Sequence, residues 1–478
     1  MQNAPPVLVI GAGISGLACA HFLRERGVPV HVLEASDRPG GLIRSVEQDG
    51  FRFELGPQSF LSSEPLQELI AKLNLDDQLL RADSRAPRYI LHGGELIQAP
   101  MGPLSLIRTP LLGAGAKWRL ATEIFRRAHP PDDDESVAVF VRRKFGDDLL
   151  QHLVGPMISG IYAGDPERLS LRAAFPEIHR FEREQGSVLR GAIKSMRKRN
   201  PAPRAERSKA RAGLCSFRDG VETLPRALAH SLGNALSYNA SAQSLHRSQS
   251  NSHAAFKIQV AAGGPPETIS ALAVVLAAPC DVTARLAGDM DARFAEPFAE
   301  IEYAPVAVVS AGYAQSAIGR STHGFGFLVP RSEGLRMLGT VWNSSLFPGR
   351  APEGRVAMAT FAGGATDPEI CTWPEEKIAE HVCGEVARVM QISAPPVTLR
   401  VQCYARALPQ YNLGHGKILD RLARLAADQP GLFLAGNYFG GPSIGACTKQ
   451  AQATAAAVCD YLASIGQLTS TVPPSAPK

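Results

Sequence analysis

The chain has 478 residues and a formal net charge of +5, with 45% hydrophobic and 20% charged residues. That balance excludes global disorder and fits an ordinary globular protein of several domains. Eight cysteines, none in a Cys-x-x-Cys pair, exclude a disulfide framework and give no metal site; they fit a reducing compartment, expected to be the cytoplasm.

Six residues precede the apolar run Val7–Ile10, so no leader peptide is expected, and no stretch approaches the roughly 18 apolar residues of a membrane span. That run reads as a buried parallel strand. Gly11 to Gly16 form a glycine-rich turn. A helix follows with Leu17, Ala20 and Leu23 on one side, stopping near Gly27, before a second strand over 28–35. Residues 65–80 carry the spacing of one amphipathic helix, and 88–100 that of a hairpin turning at His92–Glu95. From 101 to 195 the pattern is helical; Asp132 to Glu135 open one helix as a solvated start. Residues 196–213 are rich in Pro and Arg and read as a linker. Further on come a strand over 269–279, several strands between 303 and 363, and a strand over 431–436. The last leads through a glycine cluster into an Ala-rich helix reaching about 463. The tail from 466 is expected to be disordered.

The motif Gly11-Ala12-Gly13-Ile14-Ser15-Gly16 sits between strand and helix, and Glu34 closes the next strand. In such a turn the first glycine allows the tight bend, the second admits a pyrophosphate, and the third lets helix and strand approach. The helix N-terminus offers free N–H groups and positive dipole to phosphate, and Glu34 suits ribose hydroxyls. GxGxxG alone also serves simple helix packing; the strand–turn–helix context with the acid in place points to a dinucleotide. The doublet Gly40-Gly41 shortly after, and the C-terminal Gly436 to Ile444 leading into a second helix N-terminus, select FAD over NAD. The fold class expected is α/β, with a Rossmann-like FAD-binding domain, a mixed-sheet substrate domain and a helical domain.

With these motifs the sequence resembles the oxygen-dependent protoporphyrinogen/coproporphyrinogen III oxidase family of the amine-oxidase superfamily. The resemblance runs over residues 6–462 and rests on FELGPQSFL (53–61), RYILHGGELIQAP (88–100), the stretch 160–192, GFGFLVP (324–330), ALPQYNLGH (407–415) and LAGNYFGGPSIGAC. It implies oxidation of a porphyrinogen to a porphyrin by six electrons, in haem biosynthesis, with FAD as cofactor and O2 as acceptor. It implies FAD contacts at Gly11 to Gly16, Glu34, Ala35, Gly40, Gly41, Leu42, Gly56, Pro57, Gln58, Ser59, Ala242, Gly436, Pro442, Ser443 and Ile444. For substrate it implies Arg88 on a propionate, Tyr89 lining the pocket, Phe325 and Leu328 sandwiching the macrocycle, and the Gly160 backbone facing it. Chemically, a large apolar ring with peripheral carboxylates needs apolar walls and a fixed guanidinium.

Gln58 stands where some relatives carry Arg, which bears on whether two substrate carboxylates (protoporphyrinogen IX) or four (coproporphyrinogen III) are bound. The GPxSFL form is closer to bacterial coproporphyrinogen oxidases. No general base is assigned; Tyr411 and His415 are read as structural or cofactor-lining.

The organisation implied is FAD-binding over 1–64, 214–295 and 413–465, substrate-binding over 65–100 and 296–412, a helical membrane-facing domain over 101–195 and a linker over 196–213. Alternatives are another flavin oxidase of the superfamily acting on an amine or carotenoid, and a flavin-binding protein without turnover. The charge is localised: residues 191–213 hold eight basic side chains and one acid, a local +7, leaving −2 for the rest. That segment is read as a solvated loop or a contact to an anionic membrane face. Nucleic acid is not expected. A homodimer is the assembly expected if the chain self-associates.

Overall fold

A computed structural model describes residues 6–125, 131–198, 213–248 and 255–468. The first strand, Val7–Ile10, is buried at every position and lies between Val30–Leu33 and Val274–Leu276, parallel to both. Leu236–Ser237 and Leu432–Leu434 complete a five-stranded parallel sheet. Strands buried on both faces require helices above and below. Ile14–Glu25 and the long C-terminal helix Ile444–Ser464 supply one layer, meeting through Leu17, Ala18, Ala451 and Ala455. The two ends of the sequence therefore fold side by side.

A seven-stranded sheet runs in the order Thr398–Pro409, Tyr303–Ala314, Arg355–Gly363, Met337–Val341, Gly326–Leu328, Arg88–His92 and Glu95–Gln98. One of its faces packs on the helix Glu375–Met390. Helices between Pro103 and Lys198 form a separate cluster. Its buried Glu123 accepts the Ser187 hydroxyl at 2.7 Å and the Val188 N–H at 2.9 Å, tying helix starts together.

Four sequence readings change. The helix expected over 65–80 stops early, as Glu64–Lys72, because Asn74 adopts a left-handed backbone (φ 55°); the chain continues as a short 3₁₀ turn and the strand Leu79–Arg81. The strand expected over 269–279 is two strands in different sheets, Glu267–Ala271 and Val274–Leu276. The acidic run is only half solvated. Asp134 accepts from Ser170 Oγ at 2.7 Å and Gly414 N at 3.1 Å, and Glu135 pairs with Arg143 at 2.6 Å. The linker expected from 196 begins as helix, since Val188–Lys198 is continuous. Residues 199–212, most of the basic segment, and the tail beyond 468 lie outside the described residues.

Candidate functional site

The glycine turn is built as its spacing demands. Gly11 (φ 105°) donates to the Leu33 carbonyl at 2.8 Å, and a Cβ on Gly16 would sit 1.9 Å from the Gly11 carbonyl oxygen. Gly13 differs: a Cβ there meets nothing within 4 Å, so the helix N-terminus at this point opens onto free space. Glu34 Oε2 accepts the Ala12 N–H at 2.7 Å, while Oε1 takes Ser36 N at 2.9 Å. Exposed Ala35 follows it. Gly40 lies alongside Gly13, donating to the Ala12 carbonyl at 2.8 Å, and Gly41 stands next to it. Arg38, which the sequence reading passed over, holds this loop by donating to the carbonyls of Pro39, Gly41 and Ile43. It is the basic residue just ahead of the doublet, a signal visible in sequence.

Gly56 is pressed against the loop, its Cβ position 2.0 Å from the Leu42 carbonyl oxygen. Gln58 is buried and fully engaged: Nε2 donates to the Glu54 and Gly56 carbonyls at 3.0 and 2.8 Å, and Oε1 accepts from Asn343 Nδ2 at 2.7 Å. Pro57 and Ser59 beside it are half-buried. Ala242 is the second residue of the antiparallel strand Ser241–Arg247, just after Ala240 donates to the Glu34 carbonyl at 2.8 Å. At the C-terminal side, Gly436 donates to Gln450 Oε1 at 3.1 Å, and Ser443, between Pro442 and Ile444, caps the long helix through its hydroxyl. The Cys447 thiol on that helix donates to the Gly441 carbonyl at 3.7 Å.

Tyr411 and His415 brace the glycine cluster. The Tyr411 hydroxyl donates to the Asn437 carbonyl and accepts from Gly441 N at 2.9 Å. His415 Nε2 donates to the Tyr438 carbonyl at 2.9 Å, and burial lowers its pKa from 6.5 to about 4. Because the unfolded chain binds that proton more tightly, the contribution is intact above about pH 6.5 and is lost as pH falls toward 4. The span amounts to roughly 3 kcal/mol. Unfolding midpoints in denaturant should drop over this window and drop less in His415→Asn.

The second wall is the seven-stranded sheet. Arg88, Ile90, Gly326, Leu328, Gly339, Val341, Phe361 and Tyr404 share one face by register, opposite the face on helix Glu375–Met390. Arg88 is exposed, has no ion-pair partner among the described residues, and its guanidinium lies 5.4 Å from the Phe325 ring centroid. Gly160, on the helix Gly155–Tyr162, approaches Leu328 so closely that a Cβ would fall 2.6 Å from Leu328 Cδ2. Tyr89 does not join this face. Strand alternation turns it to the other side, where its ring packs on Trp342 at 5.6 Å. Gly160→Ala should push Leu328 into the space over the sheet. A lowered unfolding midpoint, from an overpacking cost of about 1–3 kcal/mol, is the expected result.

The model of the flavin containing amine oxidoreductase family matches residues 14–459. Protoporphyrinogen oxidase 1 of Arabidopsis thaliana is 33% identical over 475 residues, covering 95% of this chain and 88% of its own. The chain belongs to this family, in its protoporphyrinogen/coproporphyrinogen III oxidase group. Protoporphyrinogen oxidase of rice (Oryza sativa subsp. japonica) is 35% identical, covering 95% of this chain and 88% of its own. Coproporphyrinogen III oxidase of Bacillus subtilis is 28% identical, covering 96% and 98%. A solved UDP-galactopyranose mutase shares the fold at a TM-score of 0.70 and 15% identity, covering 97% of this chain and 96% of that one.

The residues present fit the family's cofactor, FAD. The free space above Gly13 lies at a helix N-terminus, between the first glycine turn and the Gly40-Gly41 loop, where a pyrophosphate needs N–H donors and no side chain. The helix Ile444–Ser464, which follows the second glycine cluster, packs on this first helix.

Proposed function

We propose that the protein oxidises a porphyrinogen to the porphyrin, with FAD as cofactor and O2 as final acceptor. The observation that carries this reading is the Arg88 guanidinium over Phe325, without an ion-pair partner among the described residues, at the edge of an apolar sheet face that runs toward the flavin loops. Relatives matched over nearly the whole chain are named for that chemistry. Bound FAD supplies the redox chemistry, taking two electrons with hydrogen from the substrate in each turn and passing them to O2. Three turns convert porphyrinogen and three O2 into porphyrin and three hydrogen peroxide.

The chain's own residues bind and shield. Gly11 to Gly16, Glu34, Ala35, Gly40 to Leu42, Gly56 to Ser59, Ala242, Gly436 and Pro442 to Ile444 are the proposed FAD contacts. Arg88 takes a propionate as a bidentate fork, while Phe325, Leu328 and Gly160 wall the ring and exclude water. Tyr89 supports the wall from behind. His415 is no base for the reaction: it is buried and neutral, and its Nε2 is committed to the Tyr438 carbonyl.

The parallel sheet with residues 1–64, 214–295 and 413–465 is proposed as the cofactor unit, and 65–100 with 296–412 as the substrate unit. Protoporphyrinogen IX is the preferred substrate in this reading. The Gln58 amide has no free donor for an extra carboxylate, and relatives named protoporphyrinogen oxidase reach 35% identity against 28% for the coproporphyrinogen III oxidase of B. subtilis. Aerobic incubation with the two porphyrinogens in parallel, followed by porphyrin fluorescence, tests it; faster turnover of coproporphyrinogen III would reverse the preference.

A peripheral location on the cytoplasmic membrane face fits the helical region, which leaves Trp118 and Phe125 68% and 80% exposed near Lys117 and Arg119. Among the described residues no helix is long and apolar enough to cross a membrane. Co-sedimentation with phosphatidylglycerol vesicles should fall in Phe125→Glu. Unchanged binding would remove this contact.

A further inference from the structure

We infer that Asn343 is a positioning residue that sets the distance between the flavin loops and the substrate wall, acting through Gln58. The inference rests on the porphyrinogen-oxidising reading above. Asn343 Nδ2 donates to Gln58 Oε1 at 2.7 Å, and both side chains are buried, at 5% and 7% exposure. No sequence signal links these residues, which are 285 positions apart.

The bond joins two rigid assemblies. On one side, Gln58 Nε2 is fixed by the Glu54 and Gly56 carbonyls, Gly56 is jammed on the Leu42 carbonyl, and the Gly40 N–H is tied to Ala12 beside Gly13. Displacing Gln58 therefore displaces the whole set of loops around the proposed cofactor site. On the other side, Asn343 follows Trp342. The Trp342 N–H donates to the Phe325 carbonyl at 3.0 Å, and its ring packs on Tyr89 and Phe327. Phe325 in turn donates to the Pro87 carbonyl at 2.8 Å and carries the Arg88 guanidinium on its ring.

The path from Gly13 to Arg88 thus contains one side chain–side chain hydrogen bond, and the other steps are hydrogen bonds to backbone, chain continuity or close packing. Orientation is fixed as well as distance. The Gln58 amide cannot turn over without losing both backbone acceptors, so its oxygen always faces Asn343 and demands a donor there. A buried acceptor left without a donor is unfavourable, so the loop moves to relieve it. Transfer of hydrogen between two bound rings is sensitive to a shift of about 1 Å, so the loss falls on kcat while Arg88 and the apolar wall still hold substrate.

The test uses the FAD-loaded full chain. Asn343→Ala should keep stoichiometric FAD and a KM within about twofold, with kcat lowered about tenfold. Asn343→Asp should show the same deficit at neutral pH and recover as acid protonates the new carboxyl, which then donates to Gln58 Oε1; Asn343→Ala and the wild type should show no such recovery. A kcat unchanged in Asn343→Ala, or a loss that merely follows lost FAD or lowered Tm, overturns the inference, as does Asn343→Asp without acid rescue. If Asn343→Ala does not fold, the acid rescue of Asn343→Asp decides alone. Should the wild type oxidise no porphyrinogen, the substrate reading fails. The visible circular dichroism of bound flavin then reads the tether: it should change in the variants and revert with acid only in Asn343→Asp, and an unaltered spectrum would refute it.

Discussion

Gly13→Asp should give a folded protein that carries no flavin. Nothing lies within 4 Å of a Cβ at this position, and its backbone is the N-cap of the first helix with extended φ and ψ. Asp is a favoured N-cap residue, so the helix loses nothing and gains roughly 0.5–1 kcal/mol. The same carboxylate stands where the pyrophosphate would approach, replacing attraction by repulsion and taking the N–H donors for itself. FAD affinity should fall by at least about 100-fold, equivalent to some 3 kcal/mol. Gly16→Ala makes the necessary contrast. Its Cβ would meet the Gly11 carbonyl oxygen at 1.9 Å, so strand and helix must separate, and both Tm and flavin content should drop. Absorbance of the purified proteins with thermal unfolding of their apo forms separates the two outcomes. A yellow Gly13→Asp protein would remove the glycine turn from the cofactor site.

Arg88→Ala should leave the flavin in place and weaken substrate. The guanidinium stands on Phe325, is solvent-accessible and has no carboxylate partner among the described residues, so its removal opens no buried network. A bidentate charged pair in a partly desolvated site is worth about 1.5–3 kcal/mol, which corresponds to a 10- to 100-fold rise in KM. Arg88→Lys should recover only part of this, since an ammonium keeps the charge and loses the fork. Steady-state kinetics with flavin content measured on the same samples provide the check. Equal KM in the wild type and Arg88→Ala would place the propionate elsewhere.

What was legible in the sequence was local. The strand–turn–helix at Val7–Glu25 and the hairpin turning at Gly93-Gly94 (φ 58° and 81°) announce themselves because spacing and glycine content determine them within a few residues. The Asn74 break in the expected 65–80 helix is a backbone choice that an Asn permits but periodicity does not reveal. The division of 267–276 between two sheets, and the side that Tyr89 faces, depend on which strand becomes the neighbour, and an apolar run is silent on that. Gln58 shows the limit most plainly. As a sequence position it reads as a missing cation, whereas its amide is consumed by Glu54, Gly56 and Asn343, partners that only the fold brings together.

In the function proposed, a porphyrinogen bound over the Arg88 face gives up its hydrogens to a flavin held by both ends of the chain. Mixing the yellow protein with protoporphyrinogen IX in the absence of oxygen tests it most directly. The visible flavin band should bleach on mixing and return when air is admitted, with porphyrin fluorescence rising in step. A band that stays unbleached by protoporphyrinogen IX and by coproporphyrinogen III, yet bleaches with an amine such as putrescine, would contradict it.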